Sequence, residues 1–342
     1  MSIGWMIIIL IGLFGVLGFG ADLLVGNIKR LADHWRINIF FLGLMLGLLT
    51  SVPEIILGVN SIHRGISSLS MGNLLGGIII LLGLVLGVAI VANREIKTDG
   101  LVWKVLPSLL LFALPLILGL KGWLNRWDGL LMILAYVVMI IYDYWHTRRT
   151  SLLKVRTLPE LIEETSAEEH DFLDWCRRQY RIWRPIRFIN WLTNRYLWLA
   201  VVGFLLVIIA ADQITNIAQK LLLEFNLTPL FMGSAIFAIG TNLPEIVVTI
   251  KSCLRNVGEL SISHIMGSAV SNILIIGVIL QFTKLKTGPS VSFYLTSVAT
   301  VLLASLFLLF YKTDRRFNRW EGWVLISVYI IFIASQWIWA LS

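Results

Sequence analysis

Thr50-Ser51-Val52-Pro53-Glu54 lies inside one long apolar segment, and Thr241-Asn242-Leu243-Pro244-Glu245 lies inside another, 191 residues further along the chain. A carboxylate within hydrocarbon is expensive, and ionisable residues inside membrane segments mark ion or substrate pathways. Each glutamate follows a proline, which has no N–H and so frees a backbone carbonyl one turn earlier. Two such turns in matching halves of an apolar chain point to a site for transported cations.

The surrounding sequence sets the fold. The chain has 342 residues, 58% hydrophobic and 14% charged, with a mean hydropathy of +0.84. Crossing a bilayer core takes ~20 apolar residues, and runs of that length occur near 3–28, 38–62, 69–92, 101–120, 127–146, 196–216, 228–250, 260–282, 290–311 and 320–341. An all-α membrane protein with ten transmembrane helices is expected. The run at 3–28 is too long for the apolar part of a signal peptide and lacks a basic flank, so it counts as a span. Trp residues gather near the span ends, for example Trp123, Trp127, Trp320 and Trp339, where amphipathic rings favour the headgroup region.

The net charge of +8 does not signal nucleic acid, because the basic residues follow membrane sidedness. Of 28 Lys and Arg residues, 22 fall in one set of alternate connections and 6 in the other. Setting aside the long middle connection leaves 12 against 6. Basic residues concentrate on the cytoplasmic side, so both termini are expected outside and the 147–194 connection in the cytoplasm, most simply in a plasma or inner membrane. That connection carries an acidic cluster from Glu160 to Asp174 and then a basic stretch through Arg187. It reads as a solvated helix followed by a segment on anionic lipid. It lacks the carboxylate spacing of a calcium-binding loop. Cys176 and Cys253 form neither a disulfide framework nor a metal motif.

The halves align at offsets of 190 and 191. Ala21-Asp22 matches Ala211-Asp212, Pro53-Glu54 matches Pro244-Glu245, and Gly72-Asn73 with Gly76 corresponds to Ser263-His264 with Gly267. Five spans per half is an odd number, so the second half starts from the opposite side. The expected organisation is two inverted five-helix repeats, 1–146 and 195–342, joined by the 147–194 loop. Such repeats place ion sites near the midplane between them.

At these residues the sequence resembles the cation/calcium antiporter superfamily, the sodium/calcium exchangers and their relatives. Its members carry a G-T-S-x-P-E turn in the second and seventh spans and a G-N-x-x-G-S-N type motif in the third and eighth. The resemblance implies alternating access to a central cation site. Glu54 and Glu245 would be paired carboxylate ligands. Thr50, Ser51, Thr241 and Asn242 would line neighbouring positions, and Ser268 and Asn272 match ligand positions in the eighth span. Spans one and six would form a sliding gate bearing Asp22 and Asp212. The chain departs from the pattern at Leu49, Gly77, Leu81, Asn242, Ser263, His264 and Ala269. Gly77 and Leu81 remove side-chain oxygens from the third-span side.

The implied function is a secondary antiporter exchanging calcium, or a similar divalent cation, against sodium or protons. Calcium takes about six to eight oxygens, usually with carboxylates among them, and two glutamates plus freed carbonyls can supply that kind of shell. Two carboxylates also balance two monovalent ions or two protons. The alternatives are an antiporter for another cation, with an altered half-site, or a transport-inactive sensor or scaffold. Calcium, sodium or protons would be cargo; no cofactor and no enzymatic step are expected, and the partners are the cations and the lipid bilayer.

Overall fold

The apolar run that begins at Ser67 forms a helix, α3 (Ser67–Ala92), which is 83% buried over its most apolar window. A helix that is hydrophobic all round belongs in a core, and Leu75, Ile78, Ile79, Leu81, Leu82 and Leu86 have no exposure at all. The computed structural model describes residues 3–34, 51–92, 95–97, 101–155, 195–243, 245–246, 258–287, 290–313 and 316–341. The remaining helices are α1 (Ile3–His34), α2 (Val52–His63), α4 (Val102–Gly119), α5 (Arg126–Val155), α6 (Arg195–Phe225), α7 (Pro229–Thr241), α8 (Gly258–Ile279), α9 (Val291–Lys312) and α10 (Arg319–Leu341). By length and composition, α1, α3, α6, α9 and α10 can each cross a membrane.

Helix α1 runs past 28 to His34, and two further helices outrun their expected spans. Helix α5 continues past 146 to Val155, and α6 continues past 216 to Phe225. No Gly or Pro interrupts either stretch, so nothing local stops the backbone hydrogen bonding where the apolar character ends. Helix α6 stops at Asn226, which takes a left-handed φ of 52°. The Thr228 hydroxyl then accepts from the Phe231 N–H, and Pro229 occupies the first turn of α7, a position where a missing N–H costs nothing. The acidic cluster of the middle connection, Cys176 and Cys253 lie outside the described residues.

The apolar interior divides into two packed groups. The larger surrounds α3 with side chains from α4, α5, α8, α9 and α10. The smaller joins α1 to α6 through Leu10, Phe14, Leu17, Val207, Ala211 and Ile214, and reaches Leu57 of α2 and Phe237 of α7. Helices α1 and α6 are only 33% buried over their apolar windows, and their outer faces show Ile8, Ile11, Phe19, Leu205 and Ile209. Apolar surface of that extent suits hydrocarbon rather than water.

Close helix crossings repeat across the two halves. A Cβ added to Gly87 on α3 would meet the Gly322 carbonyl of α10 at 2.9 Å, and one on Gly277 of α8 would meet the Gly129 carbonyl of α5 at 2.9 Å. Gly87 and Gly277 are 190 residues apart, and Gly129 and Gly322 are 193 apart. Two short ribbons follow the same rule. Strand β1 (Glu95–Lys97) pairs antiparallel with β4 (Arg316–Asn318), and β2 (Trp123–Leu124) with β3 (Leu285–Lys286). Each ribbon joins a connection of the first half to one of the second. Beside them, Asp128 accepts from the Asn125 N–H and Glu321 from the Asn318 N–H, both at 2.8 Å. These are the same helix cap, built once in each half.

Candidate functional site

Pro53 stands in the first turn of α2 with Glu54 directly after it. A missing N–H is tolerated at this position, and the carboxylate follows it in the same turn of α2. In the other half, α7 reaches the equivalent position through a π-helical stretch, Met232–Phe237, and ends at Thr241. Wide turns of this kind recur at functional sites. Here the stretch lies against the small residues of α3: a Cβ on Gly76 would approach the Ser234 Cα to 2.6 Å, and one on Gly233 the Asn73 N–H nitrogen to 2.7 Å.

Both glutamates are buried, Glu54 at 4% exposure and Glu245 at 3%. They are close enough to repel each other. Each has one carboxylate oxygen, Oε2, without a hydrogen-bond partner among the described residues. A buried polar atom left unpaired costs roughly 1–3 kcal/mol, more if charged. Two such oxygens facing one interior are what a cation would satisfy.

The hydroxyl and amide groups expected beside them are also buried: Ser51, Thr241, Asn242, Ser268 and Asn272. Ser268 hydrogen-bonds the Glu245 carboxylate. The Asn242 amide donates to the Ala238 carbonyl at 2.8 Å and to the Thr241 hydroxyl at 3.3 Å. The Asn272 amide donates to the Leu74 carbonyl of α3 at 3.2 Å. Thr50 lies outside the described residues, as does Pro244, and nothing is described of the His264 side chain. Among the described residues no cluster of three or more His, Cys, Asp or Glu side chains forms.

The third-span departure has a structural counterpart. A Cβ on Gly77 would lie 2.6 Å from the Asn272 amide nitrogen and 3.3 Å from that of Asn242. The space that a side chain at 77 would need is taken by hydrogen-bond donors, and a donor repels a cation. Leu81 is fully buried in the apolar core.

Three partners went unread in the sequence. Asn73 accepts from the Thr241 hydroxyl at 3.1 Å across the two halves. Ser271 hydrogen-bonds Tyr136 on the far side of α8. Arg64, at the end of α2, pairs with Asp212 of α6 at 2.6 Å. The Asn73 signal was present, since that residue sits in the repeated motif. Arg64 looked like an ordinary loop charge.

Comparisons with known proteins identify the family. The sequence model of the family described as sodium/calcium exchanger protein matches residues 5–145 and 195–338. A membrane protein of Methanocaldococcus jannaschii is 25% identical over 331 residues, covering 95% of this chain and 96% of that one. Sodium/calcium exchanger MaX1 of Methanosarcina acetivorans is 32% identical over 103 residues, covering 30% of this chain and 29% of the exchanger. Among solved structures, the sodium-calcium exchanger NCX_Mj superposes with a TM-score of 0.57 at 23% identity, covering 96% of this chain and 98% of that one. The family match spans both halves and leaves out the middle connection, so this integral membrane protein belongs to the sodium/calcium exchanger family.

Proposed function

We propose that the chain is a secondary antiporter that exchanges calcium, or a similar divalent cation, against sodium or protons. The observation that carries this reading is the pair of buried, mutually close glutamates, each with an unpartnered oxygen, in a member of an exchanger family. Glu54 and Glu245 would provide the charge. Ser51, Thr241 and Ser268 would provide hydroxyl oxygens, Asn242 and Asn272 amide oxygens, and Thr50 the matching position in the first half. Transport of this kind makes and breaks coordination without a chemical step, so no enzymatic activity is assigned.

The architecture that serves it would be ten spans in two inverted repeats, 1–146 and 195–342, joined by a cytoplasmic loop at 147–194. The paired glycine crossings and the two ribbons support that arrangement. So does the charge count, which puts the connections joined by each ribbon on the same side of the membrane. Both termini would then be outside, in a plasma or inner membrane.

Reconstituted vesicles test the reading. An imposed calcium gradient should drive flux that Glu54→Gln and Glu245→Gln each reduce to background. Flux unchanged in both variants would remove the site. Running the assay with only a sodium gradient, and then with only a pH gradient, identifies the coupling ion. One observation favours a second reading, an antiporter for a different cation: the Asn272 amide nitrogen fills the space beside Gly77, which withdraws oxygen ligands from the α3 side. Flux of another cation with none of calcium would establish it. Absence of any cation flux would leave a sensor or scaffold.

A further inference from the structure

The ribbon β2–β3 has two unlike faces. Leu124 and Leu285 stand opposite each other and are buried, while Trp123, Lys284 and Lys286 alternate with them and are exposed. Side chains along a strand point alternately to its two faces, so the outer face carries an indole beside ammonium groups. Lys284 Nζ lies 5.8 Å from the centre of the Trp123 ring, and Lys121 Nζ reaches the same ring at 5.5 Å. Arg126, two residues beyond Leu124, is also exposed and rests on the Trp127 ring at 5.4 Å.

Lys121 and Lys284 are 163 residues apart in the chain, and the backbone fixes them together. Thr287 donates from its N–H to the Gly122 carbonyl at 3.1 Å and from its hydroxyl to the Gly119 carbonyl at 2.7 Å. The Gln281 amide donates to the Arg126 carbonyl at 3.2 Å. A platform held in this way spares a ligand the cost of ordering it. Its one carboxylate, Asp128, is occupied by Lys121 at 2.6 and 2.7 Å. Among the described residues no carboxylate pairs with Arg126, Lys284 or Lys286. The charge count puts 6 of the 28 basic residues on this side of the membrane, and 4 of those 6 gather here. Next to them in the chain, Leu120, Trp127 and Phe282 are 62%, 65% and 78% exposed. The basic patch therefore continues into apolar surface.

We infer that the outer face of this ribbon is a binding site for the phosphate headgroup of an anionic phospholipid. Lys284, Lys286 and Arg126 supply the charge that the phosphate needs, and basic clusters at a membrane surface recognise anionic lipid in this way. Trp123 belongs at the headgroup level, which indole rings favour, and Leu120 and Phe282 meet the start of the acyl chains. A free anion would use the charges and leave the apolar rim in water; a phospholipid covers both. The site does not depend on which ions the chain exchanges, and only the choice of leaflet rests on the proposed topology.

The experiment titrates the full chain, in a neutral detergent, with phosphatidylglycerol or with phosphatidylcholine and counts bound lipid by native mass spectrometry. One phosphatidylglycerol should bind about tenfold or more tightly than phosphatidylcholine. Lys284→Gln and Lys286→Gln should each weaken it about fivefold, the effect of one basic residue near an anionic surface, and the double variant roughly twenty-fivefold. Lys284→Arg keeps the charge and should keep the lipid. Lys220→Gln removes a cation from α6, outside the ribbon, and should change nothing. Higher ionic strength should weaken the preference in the parent, because exposed charges are screened. Melting temperatures in phosphatidylcholine, equal for all variants, verify that these exposed positions leave the fold intact. Equal binding of the two lipids, a double variant with the parent's preference, or an equal loss in Lys220→Gln overturns the site. Displacement of the lipid by inorganic phosphate at equal concentration would assign the patch to a free anion and overturns the lipid.

Discussion

Gly77 of α3 and Ser268 of α8 stand 191 residues apart, at equivalent places in the two halves, and face their glutamates differently. Ser268 hydrogen-bonds Glu245. Gly77 has no side chain to offer, and the Asn272 amide of the opposite half fills the space next to it. The same contrast runs through the neighbouring turns. Glu245 follows Thr241 and Asn242, which are linked to each other and to Asn73, whereas beyond Glu54 the α2 helix presents Gly58 packed under Ser70 and Ile279. Repetition fixed the placement of the carboxylates and left their surroundings free to diverge. Where the first half has no side chain, at Gly77, the Asn272 amide of the second half occupies the space.

The most severe way to break the comparison is to neutralise either carboxylate. Glu54→Gln and Glu245→Gln should abolish exchange equally despite their unequal settings, since a divalent ion held by one remaining charge loses half its electrostatic partner; vesicle flux reads this directly. Next in size is Ser268→Gly, which copies the first half's condition into the second. Losing a hydrogen bond to a charged group costs about 1.5–3 kcal/mol, so apparent cation affinity should fall by about tenfold or more in a binding titration. The reverse copy, Gly77→Ser, forces a Cβ to 2.6 Å from the Asn272 nitrogen. It should displace that amide from the Leu74 carbonyl and cost on the order of 1 kcal/mol in thermal stability, while its effect on exchange is smaller than that of Ser268→Gly. Gly87→Leu and Gly277→Leu provide the matched control. Both overfill an equivalent crossing, so both should lower stability by a similar ~1–3 kcal/mol, and a large difference between them would show that the repeat does not extend into the packing. Smallest is Thr241→Val, which removes the bond to Asn73 and should change affinity by about fivefold.

Much of this was legible in the chain because membrane segments announce themselves by composition. The helices that carry Ile3, Ser67, Arg195, Val291 and Arg319 were visible as apolar runs, and the Pro-Glu turns as costly exceptions within them. The candidate site's polar residues were readable where the repeat doubled them, as with Thr50 and Thr241, and Ser268, whose counterpart is Gly77, only through the motif of the eighth span. What the sequence did not disclose was side-chain geometry between halves. Asn272 reaching Leu74, Asn73 receiving the Thr241 proton and Arg64 meeting Asp212 each join residues 148 or more positions apart. No local pattern encodes such a meeting. Helix ends were also beyond composition: α5 and α6 persist past their apolar stretches because helical propensity, not hydrophobicity, decides where they stop.

The two ribbons have a consequence for how the chain is made. Strand β1 emerges from the ribosome more than two hundred residues before β4, and β2 well over a hundred before β3. When the first five helices are complete at Val155, both of their ribbon partners, Leu285–Lys286 and Arg316–Asn318, are still unsynthesised. Neither ribbon can therefore form from the first half alone. Separate polypeptides ending and beginning within the middle connection should therefore each be degraded when produced alone and accumulate together when co-produced, with pulse-chase lifetimes as the measure.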